Sequence, residues 1–173
     1  METAVFGGGC FWCTEAVFRM LKGVIDVTPG YAGGSPDTAT YERVSTGTTG
    51  HAEVIRVTYD PAVISYAELV KVFFAAHDPT TPNRQGNDVG TQYRSVIFVL
   101  TAEQEVYARA AIQEVQTSSP DKSITTEVVP LDIFWPAEEY HHEYYANNSD
   151  APYCQAVIAP KCEKIKQTFP LLV

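Results

Sequence analysis

Basic residues and cysteines are scarce in this 173-residue chain, and long apolar runs are absent. Twelve Lys and Arg residues stand against 21 Asp and Glu residues, which gives a formal net charge of -9. Nucleic acids and anionic membrane surfaces attract proteins that carry a basic patch. The charge balance therefore predicts no nucleic-acid partner and no membrane partner.

The four cysteines are too few for a secreted disulfide scaffold of this size. No apolar stretch has the length of a membrane span, and the start, Met1-Glu2-Thr3, lacks the basic and apolar regions of a signal peptide. We therefore expect a cytoplasmic protein whose cysteines serve catalysis, redox exchange or metal binding.

No repeat, low-complexity tract or linker divides the chain, and 45% of its residues are hydrophobic. This length suits one domain with a core of its own, so we predict a single catalytic domain over residues 1–173. Short strand patterns alternate with helical ones, which predicts one compact sheet with packed helices. The predicted strands are 52–59, 95–100 and 124–129, and the predicted helices include 65–77 and 101–117.

The most informative segment is the Gly-Gly-Gly-Cys-Phe-Trp-Cys run over residues 7–13, which follows a short apolar strand pattern and precedes a helical one. Cys10 is thus predicted at a strand-to-helix turn. The unpaired backbone N–H groups of a helix N-terminus favour a thiolate over a thiol. We predict that Cys10 is a nucleophile and that Phe11 and Trp12 offer an apolar surface to a substrate group.

Two other classes of protein also use such a segment. Cys10-Phe11-Trp12-Cys13 is a C-x-x-C at a helix start, as in thioredoxin-like dithiol oxidoreductases. A metal-binding module would use the four cysteines, or Glu138 with His142 one helical turn away. The seven residues between Cys154 and Cys162 fit a zinc knuckle poorly, and we predict no metal site.

Two stretches lack a periodic pattern. Residues 78–92 form a polar segment with two prolines and two glycines, and loops of this length are often functional. Residues 146–173 are predicted to form an irregular tail that carries Cys154 and ends in a short helix near 160–169. A cysteine on a mobile tail is able to reach another cysteine.

The chain resembles the peptide methionine sulfoxide reductases of the A type over nearly all of its length. The resemblance rests on an ordered set of segments: Gly9-Cys10-Phe11-Trp12, Gly30-Tyr31-Ala32-Gly33-Gly34, Thr40-Tyr41, Thr49-Gly50-His51-Ala52-Glu53, Tyr59-Asp60-Pro61, His77-Asp78-Pro79, residues 84–95 and Ala137-Glu138-Glu139-Tyr140-His141. It implies an α+β fold, namely a two-layer α/β sandwich of the ferredoxin-like plait type with a long irregular C-terminal tail.

The resemblance implies that the Cys10 thiolate attacks the sulfur of methionine S-sulfoxide, free or in proteins, and leaves methionine and a sulfenic acid. Glu53 is the expected proton donor, and burial among aromatic side chains predicts a raised pKa for it. Tyr41 and Tyr93 are expected to donate hydrogen bonds to the same oxygen. Asp88 would organise the polar side of the pocket, and Phe11 and Trp12 would hold the substrate methyl group. No cofactor is implied.

A second thiol must remove the sulfenic acid by forming a disulfide. The resemblance implies Cys154 as this resolving cysteine and thioredoxin as the reductant, in a cycle of protein repair after oxidative damage. Cys13 departs from the family pattern, which usually has a small residue there, and makes a Cys10–Cys13 disulfide geometrically possible. We rank Cys154 first, Cys13 second and Cys162, as an acceptor in a later relay step, third.

Overall fold

The computed structural model describes residues 1–173. The strands are β1 (Glu2–Gly8), β2 (Val24–Ala32), β3 (Ala52–Tyr59), β4 (Arg84–Gln85), β5 (Asp88–Val89), β6 (Ser95–Val99), β7 (Glu127–Pro130) and β8 (Trp135–Pro136). The helices are α1 (Phe11–Arg19), α2 (Tyr41–Val44), α3 (Tyr66–Ala76), α4 (Ala102–Ser118), α5 (Tyr144–Asn147) and α6 (Ala159–Thr168). A π-helical turn, Cys154–Ile158, leads directly into α6.

Six strands form one sheet in the order β7-β6-β1-β3-β2-β8, and β4 and β5 form a separate hairpin. All neighbours in the sheet pair antiparallel except β6 and β7, which run parallel. Strand β1 is central, with β3 on one side and β6 on the other. Because α1 follows β1 directly, Cys10 emerges from the middle of the sheet. The fold is thus mixed α/β, as predicted.

The two faces of the sheet bury different side chains. On the helical face, the Phe6 ring stacks on Phe18 of α1 at 5.4 Å and on Phe73 of α3 at 5.1 Å between centroids. Val5 points the other way, into a smaller cluster with Val54 and Phe98. Successive side chains of β1 thus point to opposite faces of the sheet, as expected for a strand. Burial of the large aromatic rings on the helical face is the main contribution to the stability of the core.

The predicted helices 65–77 and 101–117 are confirmed as α3 and α4. Helix α3 begins at a capping box, in which the Ser65 side chain accepts from the backbone N–H of Glu68 and the Glu68 carboxylate accepts from the backbone N–H of Ser65. Strand β2 escaped the sequence prediction because Pro29 and Gly30, which are unfavourable in strands, interrupt its apolar pattern. None of the helices is long and apolar enough to cross a membrane.

The helix predicted near 160–169 is confirmed as α6, but the prediction of an irregular stretch before it is wrong from residue 152 onward, because residues 152–168 form one continuous helical segment. Four of its residues are buried at spacings of four, four and three: Cys154, Ile158, Cys162 and Ile165. Such spacing gives a helix one apolar face, which here joins the core cluster that also contains residues of α1 and α3. Cys154 is therefore held in the core.

Glycine at position 9 is required by the turn between β1 and α1. Gly9 has φ of +96°, and a Cβ atom there would lie 2.7 Å from Cγ of Gln85. Gly86, in the β4–β5 hairpin, has φ of +58° and no atom within 4 Å of such a Cβ. A side chain at either position meets an unfavourable backbone conformation, but only a side chain at Gly9 also clashes with a neighbour.

We predict that Gly9→Ala lowers the free energy of unfolding more than Gly86→Ala does. Both variants carry the left-handed backbone penalty of about 1–2 kcal/mol, but only the first must also displace a neighbouring side chain. Urea unfolding of both variants and the parent measures the difference. Equal losses would show that Gln85 yields freely and that the turn tolerates a side chain.

Candidate active site

Cys10 occupies the N-cap position of α1, where its carbonyl accepts from the backbone N–H groups of Cys13 at 3.0 Å and Thr14 at 3.4 Å. Only 9% of its surface is exposed. The three preceding glycines permit close packing, since a Cβ at Gly8 would lie 3.0 Å from the Phe73 ring. The backbone hydrogen bonds of Cys10 therefore hold its thiol at the N-terminus of α1, as the sequence predicted.

Glu53 lies on β3 with only 2% of its surface exposed. The backbone N–H of Phe11 donates to its Oε1 at 3.1 Å, which ties the start of α1 to the sheet. Burial is the largest influence on this carboxyl and raises its pKa to about 8, and the charges of Asp88 and Cys13 act in the same direction. Glu53 is therefore a neutral carboxylic acid at neutral pH, as expected from the sequence.

Two thiols share the start of α1. Burial raises the pKa of Cys10 well above its usual value, with a hydrogen bond to Cys13 acting in the same direction and the backbone N–H of Trp12 in the opposite one. The predicted lowering of the Cys10 pKa by the helix N-terminus is thus outweighed in the free protein. A hydrogen bond from Cys10 lowers the pKa of Cys13 to about 7. The pair together therefore holds a thiolate near neutral pH.

Aromatic rings surround the sulfur. Trp12 stacks face to face on Tyr144, with 3.8 Å between ring centroids and 8° between planes. The Phe11 ring is fully buried and lies 5.7 Å from Tyr31 and 6.5 Å from Tyr41. Trp12 keeps part of its surface exposed. The rings of Phe11, Trp12, Tyr31, Tyr41 and Tyr144 thus pack together next to Cys10 in the fold, and we call them the aromatic wall.

The structure brings Tyr41, of α2, and Tyr93, next to β6, to the same site. Burial raises the pKa of each phenol, and the charges of Glu53 and Cys10 raise both further. Both hydroxyls therefore keep their protons at neutral pH. The three sequence-predicted polar residues Glu53, Tyr41 and Tyr93 thus lie near enough to Cys10 for electrostatic interaction with its thiol.

Asp88 belongs to the hairpin that the sequence analysis assigned to a polar loop. Its Oδ2 accepts from the Tyr153 hydroxyl at 2.8 Å, and the same hydroxyl lies 3.5 Å from the Cys13 sulfur. Sequence reasoning missed Tyr153, although its position directly before Cys154 was a signal. The contact joins the hairpin, the C-terminal helical segment and the start of α1.

A second group of residues missed from the sequence lies beneath the aromatic wall. The Glu138 carboxylate accepts from the Tyr31 hydroxyl at 2.9 Å and from the backbone N–H of Tyr41 at 3.0 Å. His141 is fully buried and accepts at Nδ1 from the Trp12 indole N–H at 2.9 Å. Both belong to the Ala-Glu-Glu-Tyr-His segment that carried part of the resemblance.

The remaining cysteines are also buried and unpaired. Cys154 is fully buried, and burial raises its pKa. Burial likewise raises the pKa of Cys162 to about 11. The negative charge of Cys13 acts on both thiols in the same direction. No group of three or more His, Cys, Asp and Glu side chains is arranged to hold a metal ion.

A buried thiol pair at a helix start, beside a neutral carboxyl and two phenols, defines a thiol-dependent oxidoreductase site. The model of the family described as peptide methionine sulfoxide reductase matches residues 2–171. The peptide methionine sulfoxide reductase MsrA of Sulfolobus acidocaldarius is 53% identical over 170 residues, which cover 98% of this chain and 96% of that protein. The chain belongs to this family.

Other relatives agree. MsrA of Thermus thermophilus is 51% identical over 172 residues, which cover 99% of this chain and 97% of that protein. The reduced form of Mxr1 from Saccharomyces cerevisiae superposes with a TM-score of 0.83 at 37% identity, covering 88% of each chain. Methionine sulfoxide reductase A of Corynebacterium diphtheriae gives 0.80 at 37% identity, over 86% of this chain and 75% of that one.

Protonation of Glu53 has a consequence for stability. Unfolded, this carboxyl has a pKa near 4.5, whereas burial raises it to about 8 in the folded protein. Between these pH values only the folded state holds the proton. The contribution of Glu53 protonation to the free energy of unfolding is therefore full below about pH 4.5 and is lost by about pH 8.

We therefore predict that Glu53→Gln gains stability relative to the parent as pH rises from 5 to 8, by about 1 kcal/mol per pH unit, and that the difference is constant above pH 8. Urea unfolding at five pH values measures it. Glu114→Gln, which removes an exposed carboxyl of α4, controls for the loss of one negative charge. A Glu53→Gln difference that is independent of pH would contradict a buried neutral carboxyl.

Proposed function

We propose that the protein reduces methionine S-sulfoxide to methionine through Cys10, with Glu53 as the proton donor. The observation that carries the proposal is the hydrogen bond from Phe11 N–H to Glu53 Oε1, which places a neutral carboxyl beside the nucleophile. Because Oε1 is engaged as an acceptor, Oε2 is left to carry the proton toward the substrate. Membership of the family supports the reaction class.

The chemistry balances without a cofactor. The Cys10 thiolate attacks the sulfoxide sulfur while Glu53 gives its proton to the sulfoxide oxygen. The attack forms a bond between the Cys10 sulfur and the substrate sulfur. On collapse this bond and the substrate S–O bond break, and the hydroxyl is transferred to the Cys10 sulfur, which releases methionine and leaves Cys10 as a sulfenic acid. The substrate sulfur gains two electrons and the cysteine sulfur loses two. Glu53 then regains a proton from solvent.

The other side chains stabilise and orient the substrate. The hydroxyls of Tyr41 and Tyr93 donate to the sulfoxide oxygen as it becomes negative, which lowers the barrier to attack. Phe11 and Trp12 hold the methyl group against the aromatic wall. Asp88, through its hydrogen bond to Tyr153, fixes the polar side of the pocket.

The order of resolving steps that we propose differs from the ranking made from the sequence. The Cys13 thiol forms a hydrogen bond with the Cys10 thiol. Cys154, in contrast, lies in a helical segment whose preceding residue, Tyr153, is tied to Asp88 by a hydrogen bond. We propose that Cys13 condenses with the sulfenic acid and releases water. Cys154 then attacks the Cys13 sulfur, which forms a Cys13–Cys154 disulfide and frees Cys10 as a thiolate.

A disulfide from Cys154 to Cys162 would require unwinding. Eight residues of helix separate their Cα atoms by roughly 12 Å, well beyond the limit of about 7 Å for a disulfide. Cys162 therefore enters the relay only if the helical segment opens. Thioredoxin is the proposed final reductant, in support of which Mxr1 from Saccharomyces cerevisiae in complex with Trx2 superposes with a TM-score of 0.59 at 30% identity, over 83% of this chain and 84% of that one.

The architecture and location complete the proposal. The order β1-α1-β2-β3-α3-β6, with sheet order β6-β1-β3-β2, supports a ferredoxin-like plait at the centre of the fold. Residues 1–173 act as one catalytic domain, and residues 146–173 supply Cys154, the second thiol of the proposed relay. Four unpaired cysteines support a reducing compartment, namely the cytoplasm.

We predict that Cys10→Ser abolishes reduction of methionine S-sulfoxide and that Glu53→Gln slows the first turnover on the order of 100-fold, because it removes the proton donor. The rate of the parent should fall as pH rises through about 8, where Glu53 ionises, while Glu53→Gln loses this alkaline decline. Stopped reactions assayed for methionine, with the R-epimer as the control substrate, test this. A Glu53→Gln rate within twofold of the parent would refute the proton-donor role.

The resolving order is tested by disulfide mapping after a single turnover. In Cys154→Ser we expect the Cys10–Cys13 disulfide to accumulate, and in Cys162→Ser we expect the same Cys13–Cys154 disulfide as in the parent. In Cys13→Ser the Cys10 sulfenic acid should persist at least several times longer. If it disappears as fast as in the parent, Cys154 resolves directly and the proposed order is incorrect.

A further inference from the structure

The Trp12 indole is held at two points. The face-to-face stack on Tyr144, at 3.8 Å, fixes the plane of the ring but leaves it free to rotate within that plane. The hydrogen bond from its N–H to Nδ1 of His141, at 2.9 Å, prevents this rotation. His141 therefore lies at the N–H edge of the indole, with the two rings tilted by 32° and their centroids 5.7 Å apart.

The proton of His141 is placed by its partner. An indole N–H only donates, so Nδ1 must accept, and the neutral ring carries its proton on Nε2. Nε2 is buried and has no hydrogen-bond partner. The ring lies 4.3 Å from Tyr41 and 5.0 Å from Phe11, so it joins three residues assigned to the substrate site.

We infer that His141 is a positioning residue of this site, which sets the in-plane orientation of Trp12 as the acceptor of its indole N–H. The inference rests on the proposed function, in which Trp12 holds the substrate methyl group. A histidine offers an acceptor at Nδ1 while presenting a flat ring to the neighbouring aromatic side chains. Loss of the acceptor leaves the indole N–H buried without a partner and lets the ring turn.

Two nearly isosteric variants separate the acceptor from the bulk of the ring. His141→Asn places an amide oxygen near the position of Nδ1, whereas His141→Leu has a similar size and no acceptor. We expect His141→Leu to lower kcat/KM for methionine S-sulfoxide about tenfold, as for a buried donor left without a partner, and His141→Asn to stay within about threefold of the parent. Urea unfolding of both variants reports any shared loss of stability.

Two further readouts respond only to Trp12. In a Trp135→Phe background, which leaves Trp12 as the sole indole, the emission maximum should shift in His141→Leu and return toward the parent value in His141→Asn. In a Trp12→Phe background, His141→Leu should cost less than about threefold, because no N–H is left without its acceptor.

The outcomes distinguish the inference from the proposed function. If the parent fails to reduce methionine S-sulfoxide, the proposed function is wrong. If the parent is active and the Asn and Leu variants lose activity equally, or if His141→Leu costs as much with Phe at position 12 as with Trp, the positioning role is refuted.

Discussion

The hydrogen bond between the backbone N–H of Phe11 and Oε1 of Glu53 is the constraint on which the rest of the site depends. It joins the first residue of α1 to β3, so it fixes the helix start and the carboxyl relative to each other. The central position of β1 makes this possible, since β1 pairs with β3 and delivers the chain into α1. Cys10 and Glu53, the proposed nucleophile and proton donor, are therefore held in place by the sheet and by backbone contacts.

Burial then decides the charge states. The same desolvation that keeps Glu53 protonated also raises the pKa of Cys10, so a lone cysteine at this position would be a weak nucleophile near neutral pH. A neutral Glu53 places no negative charge beside the sulfur, and Cys13 shares its thiolate with Cys10. In the proposed mechanism the second thiol thus contributes to activation as well as to resolution.

Part of the site was predictable from local pattern, namely Cys10 at a strand-to-helix turn. The other expected site residues, Glu53, Tyr41, Tyr93 and Asp88, were implied by the resemblance to the family, and the raised pKa of Glu53 followed from its expected burial. Tyr153 and His141 were not predictable, because their roles come from hydrogen bonds across 65 and 129 residues of sequence. The fold was predicted as a class, but β2 was missed at Pro29 and Gly30. The end of the C-terminal helical segment was predicted, but its beginning at residue 152 was missed because its apolar face, with cysteine in place of a larger residue, has a weak signal.

The central claim is that one sulfur, Cys10, performs the reduction with the neutral carboxyl at its side. The most direct measurement uses the Cys13→Ser, Cys154→Ser, Cys162→Ser triple variant, mixed once with methionine S-sulfoxide and analysed by mass spectrometry. The account predicts one methionine formed per protein molecule and one added oxygen, located on Cys10. Methionine formed without oxygen on Cys10, or no methionine from the folded variant, would contradict it.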